Sequence, residues 1–166
     1  MERIDFTNAA LNDLERIVAI YNSTIESREV TADLEPVSVE SKIGWFKEHN
    51  AEKRPLWVVK DFKEIIGWVS FRNFYGRPAY DATAEISIYL APEHRGKGLG
   101  KQILSHSITE CSKLGINTLL GYIFAHNEPS LKLFLDAGFE EWGHFPGIAN
   151  LDGIERSLKI LGKRVS

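Results

Sequence analysis

Sulfur is scarce in this 166-residue chain: Cys111 is its one cysteine and Met1 its one methionine. A lone cysteine forms no internal disulfide and builds no cysteine-based zinc site. Long apolar runs are missing as well. The hydrophobic stretches are a few residues each, against the roughly 20 needed to cross a bilayer, so no membrane partner is expected. Positive charge is not in excess: a formal net charge of −3 gives no general attraction to nucleic acid, and basic residues matter only where they cluster. His49, His94, His106, His126 and His144 show no metal-ligand spacing, so no metal is expected. Internal repeats, low-complexity tracts and Pro/Gly/Ser-rich linkers are absent. The stretch MERIDFTNAALNDLERIV carries acids where a secretion signal has a basic and then an apolar region, which predicts a cytoplasmic location.

What is present fits one compact domain over residues 1–166, with 43% of residues hydrophobic and 26% charged, enough for a proper core. In TNAALNDLERIVAIYNSTIE, Leu14, Ile17, Val18 and Tyr21 recur at helical spacing behind a capping Asn12 or Asp13. SVESKIGWFKEHNA repeats the pattern with Val39, Ile43 and Phe46 behind Ser38, so two helices are expected, joined by the polar SREVTADLEP. LWVVKD and EIIGWVSFRNF read as a hairpin. ATAEISIYLAP reads as a strand with Ile86, Ile88 and Leu90 on one face and Glu85, Ser87 and Tyr89 on the other. LGKQILSHSITECSKLG predicts a helix ending at Gly115, INTLLGYIFAHN a strand, EPSLKLFLDAG a short helix, and FEEWGHF with IERSLKILGKR a closing pair of strands. Trp45, Trp57, Trp68 and Trp142 are read as core residues. The order α, α, β, β, β, α, β, α, β, β predicts an α+β (mixed α/β) fold with helices on both faces of a mixed sheet.

EHRGKGLGKQ, residues 93 to 102, falls where a strand hands over to a helix. Gly96, Gly98 and Gly100 let the backbone bend and approach a ligand with no intervening Cβ. Arg95, Lys97 and Lys101 supply countercharge, and the free N–H groups and positive dipole end of the helix favour an anion. A pyrophosphate fits this cradle. The spacing is neither the G-x-G-x-x-G of a Rossmann turn nor that of a Walker loop. Taken alone, the residues also read as a basic, glycine-rich surface loop.

Arg95 to Gly100, RGKGLG, resembles the [QR]-x-x-G-x-[GA] acetyl-CoA signature of the GCN5-related N-acetyltransferase (GNAT) superfamily, in the same strand-to-helix setting. AHNEPSLKLFLDAGFEEWG resembles the family's later segment, with Asn127 after a strand and Gly138-Phe139 closing a short helix. IYNSTIESREVTADLEP, RPAYDATAEISIYL and HRGKGLGKQIL are similar, in the same order, to stretches of the phosphinothricin and methionine sulfoximine N-acetyltransferase group. The resemblance spans nearly the whole chain. It implies a GNAT-like central sheet, mixed and mostly antiparallel, and acetyl-CoA as co-substrate. Main-chain groups of Ile88, Tyr89 and Leu90 would then hold the pantetheine arm, and Arg95, Gly96, Lys97, Gly98, Leu99, Gly100 and Lys101 the pyrophosphate. Asn127 would bond the pantetheine near its thiol, a residue that reads equally as a helix cap. The resemblance further implies a homodimer, with the edge strand and terminal hairpin as contacts.

Acyl transfer from a thioester to an amine requires a base, because at neutral pH an aliphatic amine is mostly ammonium. Glu85 matches the carboxylate that this group uses, and partial burial between apolar neighbours would push its pKa up toward the working range. On its own it also reads as a solvent-facing strand glutamate. Where the family places a Tyr, or this group a His, in the last short helix, the chain has Phe134, which donates no proton. With a thiol pKa near 8.5 the thiolate is a tolerable leaving group, so water or another donor can suffice; Tyr122, Tyr89 and His126 are the weak side-chain substitutes. An amino-acid acceptor needs a cation for its carboxylate, and Arg72 and Arg77, with Tyr80 as a wall, lie beside Glu85 in the sequence. Cys111, on an apolar helix stripe, reads as an inert core thiol. The expected activity is N-acetylation of the α-amine of a small amino-acid-like acceptor of the phosphinothricin, methionine sulfoximine or methionine sulfone type. A protein or peptide N-acetyltransferase and a non-catalytic acyl-CoA-binding module are the alternatives.

Overall fold

Strand residues that alternate between two apolar faces dictate a sheet covered on both sides. The computed structural model, which describes residues 3–166, has that arrangement. Its strands are β1 (Ile4–Asn8), β2 (Leu56–Asp61), β3 (Glu64–Asn73), β4 (Thr83–Leu90), β5 (Thr118–Phe124), β6 (Glu140–Leu151) and β7 (Ile154–Arg164). They form a single 7-stranded sheet in the order β1-β2-β3-β4-β5-β7-β6. Every pairing is antiparallel except β4–β5, which is parallel. The helices are α1 (Leu14–Asn22), α2 (Val39–Lys47), α3 (Leu99–Glu110) and α4 (Glu128–Asp136).

Val58 and Val59, neighbours in β2, belong to different cores. Val58, Leu56 and Trp68 pack with Leu14, Ile17 and Ile20 of α1, while Val59, Val69, Phe71 and Ile86 pack with Leu99, Ile103 and Leu104 of α3 and Phe134 of α4. Helices therefore cover both faces, as the strand alternation predicts. Ser38 caps α2 by accepting from the Ser41 N–H at 3.2 Å. Asp13 accepts from the Ala10 N–H at 2.8 Å and so caps the short 3₁₀ turn that leads into α1.

The structure corrects the sequence reading in four places. β1 was not expected; Ile4 and Phe6 give it a short apolar face that packs on the sheet core. α3 stops at Glu110, and residues 111–115 form turns that end at Gly115 with φ +69°. β6 runs on to Leu151, because Asp152 and Gly153, with φ of 55° and 84°, supply the two-residue turn that right-twisted hairpins favour. Trp142 is 47% exposed rather than core. The register shift between Glu141 and Gly143 lets its ring cover Gly162, where a Cβ would fall 1.9 Å from a ring carbon. Among the described residues no helix is long and apolar enough to cross a membrane.

Candidate active site

The parallel pairing of β4 and β5 runs from Thr83–Thr118 to Glu85–Leu120 and then stops, although the strands continue to Leu90 and Phe124. The strands fork there, and the backbone edge facing the fork is free for a ligand. Phe134 wedges the fork open: it packs on Gly121, where a Cβ would lie 2.8 Å from its ring, and meets Phe139 edge-on with centroids 4.8 Å apart. It is an apolar wall. The fork is lined by Ser87, Ile88, Tyr89, Tyr122, Asn127 and Phe134. Asn127, 6% exposed, accepts from the Ser130 N–H at 3.3 Å and so caps α4, which leaves its amide N–H groups as donors.

A wider cleft continues past Ile88, Tyr89 and Leu90 to Arg95, Gly96 and Gly100. Gly98, at φ +78°, is the N-cap of α3 and offers no side chain to its first N–H groups. At Gly96 and Gly98 a Cβ would meet nothing within 4 Å, so the left-handed backbone, with φ of 72° and 78°, is what requires glycine there. Gly100 serves a different end: a Cβ would lie 3.3 Å from Leu133, so its absence lets α4 approach α3. The Leu99 side chain is buried in the core, and only its main chain faces outward chemistry. Arg95 spans the ends of β4 and α1, donating from Nε to the Leu90 carbonyl at 3.0 Å and from Nη2 to Ser23 Oγ at 3.0 Å. Lys97 and Lys101 line a separate groove with Arg3 and His106.

On the α1/α2 face, adjoining the fork at Ser87 and Tyr89, is a cavity of about 170 Å³. Its floor is a ladder of cross-strand pairs, Trp68–Tyr89, Ser70–Ser87 and Arg72–Glu85. Its roof comes from Ile17, Val18, Tyr21, Lys42 and Trp45. Trp68 stacks on Tyr89 with centroids 4.4 Å apart and donates from Nε1 to the Ile17 carbonyl at 3.1 Å. The Tyr21 hydroxyl donates to the Asp33 carboxylate and is bonded to Thr31 Oγ1 at 2.5 Å; burial and Asp33 push its pKa up to about 12. Lys42 Nζ sits 5.3 Å from the Tyr21 ring centroid.

Glu85 is partly buried, and that burial pushes its carboxyl above the ordinary range, while Arg72 pulls it partly back. Arg72 is itself paired with Glu48 at 3.1 Å. Burial and the nearby Glu85 both raise the Tyr122 phenol, which therefore stays protonated. The Cys111 thiol is buried and pushed up to about 12, and donates to the Ser107 carbonyl at 3.2 Å, so it carries no thiolate. His126 Nε2 is bonded to the Arg28 carbonyl at 2.8 Å. Glu64, Glu93 and His94 meet at the surface, where Arg16 lies 3.9 Å and 3.2 Å from the two carboxylates and offsets their charge.

Of the substrate-site residues expected from the sequence, Arg72 lines the cavity beside Glu85. Arg77 and Tyr80 lie in an exposed segment between β3 and β4, with Tyr80 packed against Phe74 and Tyr75, and neither lines it. Lys42, Tyr21, Trp45 and Ser70 went unnoticed in the sequence; they meet only because α1 and α2 fold over β3 and β4.

A forked parallel pair, an uncapped helix start along one side and a carboxylate in the adjoining pocket make up an acyltransferase type of site. The chain belongs to the Acetyltransferase (GNAT) family, whose model matches residues 16–139. It is 54% identical over 155 residues to "Putative phosphinothricin acetyltransferase YwnH" of Bacillus subtilis, covering 93% of this chain and 94% of that protein. It is 29% identical over 147 residues to an L-methionine sulfoximine/L-methionine sulfone acetyltransferase of Pseudomonas paraeruginosa, covering 88% and 86%. A crystal structure of a GNAT superfamily phosphinothricin acetyltransferase from Sinorhizobium meliloti, in complex with AcCoA, superimposes with a TM-score of 0.89 at 27% identity, covering 99% of this chain and 89% of that one. The protein is thus an acetyltransferase related to phosphinothricin and methionine sulfoximine N-acetyltransferases.

Proposed function

We propose that the protein is a cytoplasmic, acetyl-CoA-dependent N-acetyltransferase acting on the α-amine of a small amino-acid-like acceptor of the phosphinothricin, methionine sulfoximine or methionine sulfone type. The observation that carries this reading is the cavity above Glu85. At about 170 Å³ and roofed by two helices, it is smaller than the roughly 300–1,000 Å³ of drug-sized ligand pockets, and suits one amino acid better than a peptide. Arg72 and Lys42 offer cations to the acceptor's carboxylate or side-chain anion.

The residues present fit the co-substrate. The unpaired edge of Ile88, Tyr89 and Leu90 and the amide of Asn127 would hold the pantetheine, and the N–H groups from Gly96 to Lys101 the pyrophosphate, with Arg95 adding charge from within the cleft and Lys97 and Lys101 contributing their main chain there. Acetyl-CoA supplies an activated acyl group whose thiolate, from a thiol of pKa near 8.5, leaves readily. Glu85 removes the proton from the acceptor's ammonium, directly or through a water, and its raised pKa suits that task. Tyr122, protonated and lining the fork where Phe134 donates nothing, offers a proton to the departing sulfur. CoA release from acetyl-CoA, followed with a thiol reagent across free amino acids, their sulfone, sulfoximine and phosphinate analogues, polyamines and short peptides, tests the reading. Selective turnover of the amino-acid analogues supports it, and turnover with peptides alone overturns it.

The same reading includes a homodimer through the β6–β7 hairpin, where Trp142, Phe145, Ile148 and Ile154 are exposed. Light scattering at micromolar concentration is expected to give twice the chain mass, and a monomer mass would refute the dimer.

A further inference from the structure

His49 lies just past the end of α2, and its two ring nitrogens are both engaged. Nδ1 is 2.9 Å from the Trp45 carbonyl oxygen, and Nε2 is 2.7 Å from Ser70 Oγ. A carbonyl oxygen only accepts, so Nδ1 carries a hydrogen. In a neutral imidazole Nε2 is then a bare acceptor, and the Ser70 hydroxyl has to donate to it. Burial lowers the His49 pKa, with Arg72 adding to the shift against the opposing pull of Glu48 and the Trp45 and Phe46 carbonyls, so the ring is neutral at neutral pH. Trp45 also stands edge-on to the imidazole with centroids 4.9 Å apart and fixes its plane.

The consequence lies on the other side of the hydroxyl. Ser70 is 2% exposed and is part of the cavity floor, in register with Ser87 and next to the Arg72–Glu85 pair. With its one hydrogen committed to His49, Ser70 Oγ has only lone pairs left to offer a ligand in the cavity. A group that only accepts, in a pocket whose base must meet an ammonium, selects a nitrogen donor.

We infer that Ser70, polarised by its bond to His49, docks the acceptor's ammonium by accepting one of its N–H hydrogens, while Glu85 takes another. Ser70 is thus a binding residue for the amine and His49 the positioning residue that sets its donor direction. The inference rests on the reading of this cavity as the acceptor site. It has a built-in pH dependence: protonating His49 puts a hydrogen on Nε2, which donates to Ser70 Oγ and turns the serine's own hydrogen toward the cavity, where it opposes an ammonium. The groups facing His49 are the Trp45 and Phe46 carbonyls, Glu48, Ser70 and Arg72, with Arg54 lining the same cleft, and Glu48, Arg72 and Arg54 are the ones among them that carry charge.

The test is steady-state kinetics of the full-length protein with acetyl-CoA and the best acceptor of the panel, together with ¹⁵N NMR of the imidazole. Ser70→Ala and His49→Phe are each expected to raise the acceptor KM by about tenfold, the scale of one hydrogen bond to a charged group, with the acetyl-CoA KM unchanged within about twofold. His49→Gln, which keeps an acceptor for the serine, is expected to restore the acceptor KM toward that of the parent. The double variant Ser70→Ala, His49→Phe should be no worse than either single one. NMR should show the neutral ring with hydrogen on Nδ1. An acceptor KM that stays within about twofold in Ser70→Ala, effects that multiply in the double variant, or hydrogen on Nε2 would overturn the inference while leaving the acceptor site intact. Absence of turnover by the parent protein with every amine would instead overturn the acceptor reading, and the inference with it.

Discussion

Arg72 and Glu85 stand directly opposite each other on β3 and β4, yet the Arg72 guanidinium makes its ion pair with Glu48, at 3.1 Å. The carboxylate across the sheet therefore keeps only part of the arginine's field. Burial outweighs that field, and the Glu85 carboxyl sits above the ordinary range. A full Arg72–Glu85 ion pair would hold the carboxylate ionised and make it a weaker base; diverting the arginine to Glu48 keeps it basic.

That arrangement makes the acid limb of the rate profile tunable. The proposed base Glu85 accepts a proton only when ionised, so kcat/KM is expected to fall as pH drops through its raised pKa. Removing Glu48 with Glu48→Gln frees Arg72 to act on Glu85, and the limb is expected to move to lower pH. Arg72→Met removes the one cation that lowers the pKa, and the limb is expected to move to higher pH. Rate profiles of the three proteins, taken across roughly pH 5 to 9 so as to span the near-neutral range in which a general base works, check the order; identical limbs would refute the coupling.

Stability should show the same shift with its own sign. A carboxyl whose folded pKa lies above its unfolded one contributes stability that is full below the unfolded pKa and lost as pH rises through the folded one. Glu85→Gln has no proton to lose. It is expected to melt at a higher temperature than the parent at pH 7 and at the same temperature in acid, measured by calorimetry at both pH values.

Lys42 has no carboxylate within ion-pair distance among the described residues, and its one close partner is the Tyr21 ring. Lys42→Met keeps the stem that packs on the cavity roof and removes the charge. The KM for an acidic acceptor is expected to rise by about tenfold, the scale of one charge-assisted hydrogen bond, with the KM for acetyl-CoA unchanged. Equal KM values for both proteins would remove Lys42 from the acceptor site.

The stretch from β4 through the glycine turn into α3 was legible because each residue type there answers a local demand: alternation for the strand, φ near +70° for Gly96 and Gly98. Gly100 was not, since its reason is Leu133 on another helix. β1 escaped notice because Ile4 and Phe6 are too few to establish a period. The cavity above Glu85 was the least legible part. Glu85 and Arg72 share a register that the β3–β4 hairpin fixes, but Tyr21, Lys42 and Trp45 reach the cavity from α1 and α2, and His49, just past α2, touches it only through Ser70. Closeness to Glu85 along the chain brought forward Arg77 and Tyr80, which belong to an exposed connection, whereas the cavity draws in residues up to 68 positions from Glu85, Ile17 being the farthest.

The most direct test compares the parent protein and Glu85→Gln in one assay. Acetyl-CoA binding is measured by calorimetry, and acetylation of the L-methionine sulfone α-amine by mass spectrometry. The account predicts acetyl-CoA affinities equal within about twofold and a rate lower by about 100-fold or more in the variant, the scale of a lost general base. Equal rates at equal acetyl-CoA occupancy would contradict the assignment of Glu85 as the base.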